Sequence, residues 1–559
     1  MARISSVTHD VDMAASSPAG DSVGPWIGGV NHVGAMLVRD LVLAVPSAGI
    51  GERGGMGKYL NPVLAAIAIM AIAVSLWNLR ATTDGLTIEN VAIGNIPSTI
   101  YRPGGNRPAP VVVIAHGFAG SRQLMQAFAV TLARNGYTAV TFDFAGHGRN
   151  PDPLTGSITQ ETGATRTLVA EVTQVAAYAR GLGDGRLAVL GHSMASDIIV
   201  RFAQKTPDVA ATIAVSMFSP AVTASSPRNL LVIAGGWETT LQREALRAVG
   251  QVTPSPKDGV TYGDPAAGTG RRAAFSPGTE HISVLYSRAS MAEALGWLDA
   301  TFRIKRSAPV YLDGRGPWIM LLLAGAVALA RPLSRLLPVV ADRPVGAALG
   351  WRRLWLPLVL PAIATPLFLR VLPTHFLPVL VADYLACHFA LYGILTAACL
   401  LWSATRRAPV GNPAISRPKL AIAVLAVIAY GFVAMVWPID TYVTSFVPGP
   451  QRVPLILAML VGTLAYFTAD AWMTGAGARG GYMASKAAFL VSLAIAIALD
   501  FERLFFLVII VPVIVLFFVV YGLFNRWATR RTMHPLAGGI ANAVAFAWAI
   551  GVTFPLLAA

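Results

Sequence analysis

Charge is what this chain has least of. Only 13% of its 559 residues are Asp, Glu, Lys or Arg, against roughly 25% in an ordinary globular protein. The shortage is uneven: residues 80–310 carry a normal polar mixture, whereas residues 317–559 are mostly apolar runs. That excludes one soluble globule and implies a chain part globular and part integral membrane protein. Acids are scarcer than bases, 28 against 43, giving a formal net charge of +15. A basic stripe on a soluble face would point to nucleic acid. Many of these bases instead fall in short loops between apolar runs, so no nucleic-acid partner is expected. Cysteine is nearly absent. Cys387 and Cys399 share one predicted membrane helix, about 18 Å apart at roughly 1.5 Å per residue. They cannot pair within it, and cysteine usage is silent about redox compartment.

What is present falls into five stretches. Residues 1–55 are rich in Gly, Ser and Ala without periodicity and are expected to be disordered. In residues 56–80, Leu60 to Trp77 is uncharged, preceded by Arg53 and Lys58 and followed by Arg80. At about 18 residues it just suffices to span a bilayer. With no small-residue cleavage site after it, it reads as an uncleaved anchor. Residues 81–305 form the globular domain, residues 306–316 a linker, and residues 317–559 a polytopic membrane domain of about eight helices.

Within the globular domain, β-rich runs alternate with amphipathic stretches. Candidate strands are Thr87–Ile93, Pro97–Tyr101, Val111–Ala115, Ala139–Asp143, Leu187–Leu190, Thr212–Ser216, Leu230–Ala234 and Ala273–Phe275. Candidate helices are Leu124–Asn135, Leu168–Arg180, Ala195–Lys205, Thr239–Val249 and Ala292–Phe302. This alternation predicts an α/β fold, a mostly parallel sheet with helices on both faces. Such sheets bind ligands at the carboxyl ends of their strands.

The apolar segments of the second half lie at roughly 317–337, 354–372, 379–402, 420–438, 453–474, 483–499, 504–524 and 538–557. Alternate connections carry Arg331, Arg335, Arg343, Arg352 and Arg353; Arg406, Arg407, Arg417 and Lys419; Arg479 and Lys486; and Arg526, Arg530 and Arg531. The intervening ones hold only Arg452 and Arg503. Positive loops stay in the cytoplasm, so the globular domain is expected on the non-cytoplasmic side of a plasma or inner membrane. Arg370, His375, Asp383, His388, Asp440, Asp470, Asp500, Glu502 and Arg503 fall in or beside the spans. Most sit near outer helix ends, where snorkelling and interfacial solvation would suffice; a polar surface that docks the globular domain or receives a headgroup is the alternative.

Four motifs carry chemistry. Gly191-His192-Ser193-Met194-Ala195 follows the strand Leu187–Leu190 and opens a helix. Small residues two before and two after Ser193 let strand and helix pass closely and leave its hydroxyl exposed on a strained turn. His116-Gly117-Phe118-Ala119-Gly120 follows Val111–Ala115; a flexible turn there can aim the Phe118 N–H, with that of Met194, at an oxyanion. Gly278-Thr279-Glu280-His281 follows the last strand, and His281 is the residue suited to activate a serine. Gly235-Gly236-Trp237-Glu238 supplies an acid, Glu238, to orient the imidazole, with Glu280 as competitor. The order Ser193…Glu238…His281 is that of one hydrolase class.

With Phe142-Asp143-Phe144-Ala145-Gly146-His147-Gly148-Arg149 added, residues from about 86 to 303 resemble the α/β-hydrolase superfamily, particularly its monoacylglycerol-lipase-like and serine-aminopeptidase-like branch. The departures are Ala195 for glycine and Glu238 for aspartate. The resemblance implies catalytic Ser193, His281 and Glu238, an oxyanion hole from Phe118 and Met194, and a structural turn at Asp143–Arg149. It implies no metal or organic cofactor. Relatives often carry a helical cap between the strands assigned here to Thr212–Ser216 and Leu230–Ala234; about a dozen residues separate them, so little or no cap is expected. No family resemblance is recognised in the membrane half. The expected function is a membrane-anchored serine esterase or lipase acting on membrane lipids or acyl esters. An acyltransferase with the same triad, or a lipid-handling transporter whose hydrolase-like domain only binds, are the alternatives.

Overall fold

The computed structural model describes residues 56–105, 108–156, 163–404 and 413–558. The expected disorder of residues 1–55 and the loop bases Arg406 and Arg407 fall outside these. Helix α1, Met56–Ala81, leads into a nine-stranded sheet. Its strands are β1 Leu86–Ile93, β2 Ile96–Pro103, β3 Val111–Ala115, β4 Thr138–Phe142, β5 Leu187–His192, β6 Val209–Val215, β7 Leu230–Gly235, β8 Thr261–Tyr262 and β9 Arg271–Ser276. Their order is β1-β2-β4-β3-β5-β6-β7-β9-β8. Strands β4 to β9 through the centre run parallel, while β1, β2 and β8 pair antiparallel at the edges.

The helices α2 Gln126–Arg134, α3 Ala164–Arg180, α4 Met194–Lys205, α5 Thr239–Val249 and α6 Arg288–Phe302 cover both faces. Side chains alternate along each strand, so Val112, Ile114, Leu190 and Ile213 pack under α2 and α6. Val111, Val113, Ala115 and Val189 pack under α3 and α4. Each such Val, Leu or Ile side chain, fully buried, contributes about 1.5–3 kcal/mol. Several boundaries differ from the sequence reading: α3 and α6 start at Ala164 and Arg288 rather than Leu168 and Ala292, and β6 at Val209 rather than Thr212. The helix expected from Leu124 begins as a tighter 3-10 turn, Arg122–Met125, before α2. The edge strand β8 is two residues long, too short to leave an alternating pattern.

Among the described residues, nine helices are long and apolar enough to cross a membrane: α1 and eight after the sheet. The eight are α7 Arg315–Leu333, α8 Trp351–Val371, α9 Ala382–Ala404, α10 Arg417–Tyr442, α11 Val453–Thr474, α12 Gly481–Leu499, α13 Phe501–Thr532 and α14 Leu536–Thr553. Three sequence expectations need correction here. Lys486, read as a loop base, lies inside α12, buried, with Nζ 2.6 Å from Asp470 Oδ2 and donating to the Tyr466 hydroxyl. Interfacial solvation does not serve Asp383, His388 or Asp470, which are buried. Asp383 accepts from the Phe376 and Tyr384 amides, and His388 Nε2 meets the Ser492 hydroxyl. Asp440 pairs with Arg149 of the sheet domain at 2.6 Å, as the docking alternative requires.

The connection after α6 is laid down along α2. Tyr311 exchanges hydrogen bonds with Asn135, the Asp313 amide donates to Thr131, and Arg315 bridges Asp313 and Gln126. The chain's last residues also reach back: Leu556 and Leu154 pair, and the Arg452 guanidinium and the Leu556 amide both donate to the Gly146 carbonyl. On α10, α11 and α13, the residues nearest the sheet domain lie at the helix ends opposite Arg417, Arg479 and Arg530.

Candidate active site

Strand β5 ends in His192, and α4 begins at Met194. The serine between them has φ 53° and ψ −117°, a region that non-glycine residues occupy at about 1–3 kcal/mol. Surrounding bonds impose it: Ser193 N donates to the Val215 carbonyl at 2.9 Å and Ser196 N to Ser193 O at 2.9 Å. The turn also explains its glycines. A Cβ on Gly191 would lie 2.7 Å from the Ala195 carbonyl oxygen, and one on Gly117 would lie 3.0 Å from Ser193 Cβ. The methyl of Ala195, where relatives carry glycine, is fully buried among the side chains under α4.

The three residues expected to act together are brought together. Ser193 Oγ stands 2.9 Å from His281 Nε2, and His281 Nδ1 stands 2.6 Å from Glu238 Oε1. The second Glu238 oxygen accepts from the Ser216 hydroxyl at 2.7 Å and the Gly235 amide at 2.6 Å. Burial alone would push this carboxyl up. The bond and charge of His281, then Ser216 and Gly235, outweigh it and hold the carboxyl below its ordinary value. An ionised Glu238 takes the Nδ1 proton as a hydrogen bond, which leaves Nε2 free to accept from the serine. Glu280 is not the partner: its carboxylate accepts from the Ile282 and Ser283 amides.

Residues 110–255 match the family model described as alpha/beta hydrolase fold. This region of the chain has the α/β-hydrolase fold. The chain is also similar to several solved structures. A dienelactone hydrolase from Anabaena variabilis ATCC 29413 is 16% identical, aligned over 38% of this chain and 97% of that one with a TM-score of 0.29. A membrane phospholipase A described as a novel bacterial virulence factor is 16% identical over 48% and 99%, TM-score 0.28. The epoxide hydrolase VrEH1 from Vigna radiata is 13% identical over 39% and 98%, TM-score 0.28. No curated protein matches.

In the hydrolase domain, the turn Asp143–Arg149 is a scaffold. Asp143 accepts from the Arg122 amide, the Arg122 guanidinium and the Arg149 amide, and takes no part in the serine's contacts. His116 and His147 are buried and neutral, pushed down to about 4 and about 3, burial being the main cause. Met194 follows Ser193 directly, and Phe118 follows Gly117, where an added Cβ would meet Ser193 Cβ. Among the described residues no carbonyl takes either of their N–H groups, so both remain free for an incoming oxygen. No group of three His, Cys, Asp or Glu side chains among the described residues is placed to hold a metal.

Two positioning residues were not singled out from sequence. Ser216, at the end of β6, fixes the second Glu238 oxygen. His192 donates from Nε2 to the His281 carbonyl at 2.9 Å and so ties the histidine loop to the serine turn. Burial, then the neighbouring His281, pushes its ring down to about 3, which keeps it neutral. A polar residue beside the serine in an otherwise apolar strand end is the signal that could have found His192. Around this centre Phe218, Trp237 and Ile282, just after β6, β7 and β9, are 62%, 42% and 45% exposed.

Proposed function

We propose that this protein is a membrane-anchored serine hydrolase that cleaves acyl esters, lipids being the favoured substrates, on the non-cytoplasmic face of the membrane. The observation that carries the reading is the continuous relay from Ser193 Oγ through His281 to Glu238. His281 Nε2 takes the hydroxyl proton as Ser193 Oγ attacks the ester carbonyl. The tetrahedral oxyanion is held by the Phe118 and Met194 amides. His281 then gives the proton to the departing alcohol, leaving an acyl-serine. Water, deprotonated by the same imidazole, attacks the acyl group and releases the carboxylic acid. Glu238 stays ionised throughout, and no cofactor enters.

The apolar rim of Phe218, Trp237 and Ile282 supports an acyl chain rather than a polar substrate. The basic connections support the sidedness, as does a docking surface at the opposite helix ends. Hydrolysis of a p-nitrophenyl ester by the full chain in detergent tests the reading. A pre-steady-state burst of p-nitrophenol, absent in Ser193→Ala, is expected; equal turnover by wild type and that variant would sink it.

A further inference from the structure

The helical half grips one loop of the hydrolase domain, the loop after β3 that carries Phe118. The Phe118 ring lies between His147, at 5.9 Å edge-on, and Phe506 of α13, at 4.8 Å and 33°. Three residues on, Ser121 Oγ meets Thr444 Oγ1 at 3.0 Å and accepts from the Ser445 amide at 2.8 Å. Gln123 Oε1 accepts from the Ser445 hydroxyl, and Gln126 Nε2 donates to the Thr441 carbonyl. The segment that makes these bonds is itself shaped by Asp440, which accepts from the Phe446 and Val447 amides and pairs with Arg149. None of these contacts touches Ser193, His281 or Glu238. They converge on the loop that carries Phe118, a glycine-flanked turn whose Ala119 stands at φ 55°.

We infer that the helical half positions the oxyanion loop: Phe506 and the Asp440–Ser445 segment set where the Phe118 N–H points. This rests on the serine-hydrolase reading, in which that N–H is an oxyanion donor. It assigns a task to helices that an anchored esterase would otherwise not need. The relay is built by the sheet, and the oxyanion hole is completed by the bundle. Phe506 is a positioning residue, acting through Phe118. Oxyanion donors stabilise charge only when aimed within a fraction of an ångström, and a displacement of about 1 Å costs on the order of a hundredfold. Freeing the loop therefore slows acylation and leaves ester binding and the proton relay in place.

The test uses the full chain in lipid nanodiscs, with p-nitrophenyl butyrate as substrate. Phe506→Ala is expected to lower kcat roughly ten- to a hundredfold with KM changed by less than about threefold. The pH midpoint of kcat stays where it is in wild type. Phe506→Leu, which restores bulk against Phe118, recovers most of the rate. Asp440→Asn, close in shape and without the charge that holds Arg149, moves kcat in the same direction. Leu516→Ala, on the exposed face of the same helix, leaves kcat unchanged. A kcat within twofold of wild type in both Phe506→Ala and Asp440→Asn overturns the inference while the reading stands. A wild type that hydrolyses no ester overturns the reading and the inference with it.

Discussion

Glu238 reaches His281 across 43 residues of sequence and meets Nδ1 with Oε1 at 2.6 Å. Glu238 stands at the start of α5, and its carboxylate is anchored by Ser216 and Gly235, so its reach is fixed before the histidine arrives. Glu238→Gln keeps the shape but removes the charge that selects the Nδ1–H tautomer. Its kcat is expected to fall about 10³–10⁴-fold, with secondary structure unchanged by circular dichroism. A loss under tenfold would mean that another group orients His281.

Ser216→Ala removes one of two donors to the far Glu238 oxygen and leaves the Gly235 amide. A hydrogen bond of this kind is worth about 0.5–1.5 kcal/mol, so kcat should fall two- to tenfold. Ester turnover at saturating substrate measures it directly.

The glycines of the serine turn are predicted to be intolerant and its alanine tolerant. Gly191→Ala and Gly117→Ala force a methyl against the Ala195 carbonyl and the Ser193 Cβ. Both should lower the rate of fluorophosphonate labelling by about a hundredfold or more, since the nucleophile and its oxyanion loop move. Ala195→Gly only opens a small space and should label within a few-fold of wild type.

Three buried imidazoles set an acid limit. His116, His147 and His192 are pushed down from 6.5 to about 4, about 3 and about 3, burial being the main cause. The unfolded chain binds their protons first, so stability is lost as pH falls below about 6.5 and the loss is complete once pH passes about 3 to 4. Each contributes about 1.4 kcal/mol per pH unit within that window. Glu171, pushed up to about 7 mainly by burial, works against them between about 4.5 and 7, one group against three. The thermal midpoint should therefore drop from pH 7 to pH 5. A flat profile would contradict neutral, buried histidines.

In the bundle, Lys486→Met leaves Asp470 buried without its cation and should destabilise the fold by about 3–5 kcal/mol. Replacing both, Lys486→Met with Asp470→Asn, should recover much of that. Thermal aggregation of detergent-solubilised protein measures the difference.

The fold and relay were legible because each leaves a local mark. Strand β3 is an uninterrupted apolar run, β5 is apolar from Leu187 to Leu190, and Ser193, Glu238 and His281 each follow a strand. Glu238 was favoured over Glu280 as the only acid at the end of its strand and because a residue adjacent to the histidine has difficulty facing the ring; which amides capture the Glu280 carboxylate needed coordinates. The docking surface was the least legible part. Ser121, Thr444, Ser445 and Phe506 are ordinary residues in their own segments, and only the approach of sequence-distant elements gives them a role. Lys486 was misread for the opposite reason: in a list of loop charges, a lysine buried against Asp470 looks the same as one in water.

The account stands or falls on Ser193. A fluorophosphonate probe that cannot cross the membrane, applied to intact cells expressing the full chain, followed by peptide mapping, tests nucleophile and sidedness together. The account predicts one labelled peptide, carrying the adduct on Ser193, in intact cells and no labelling in Ser193→Ala. Folded wild type that stays unlabelled even in opened cells, or an adduct on another residue, would contradict it.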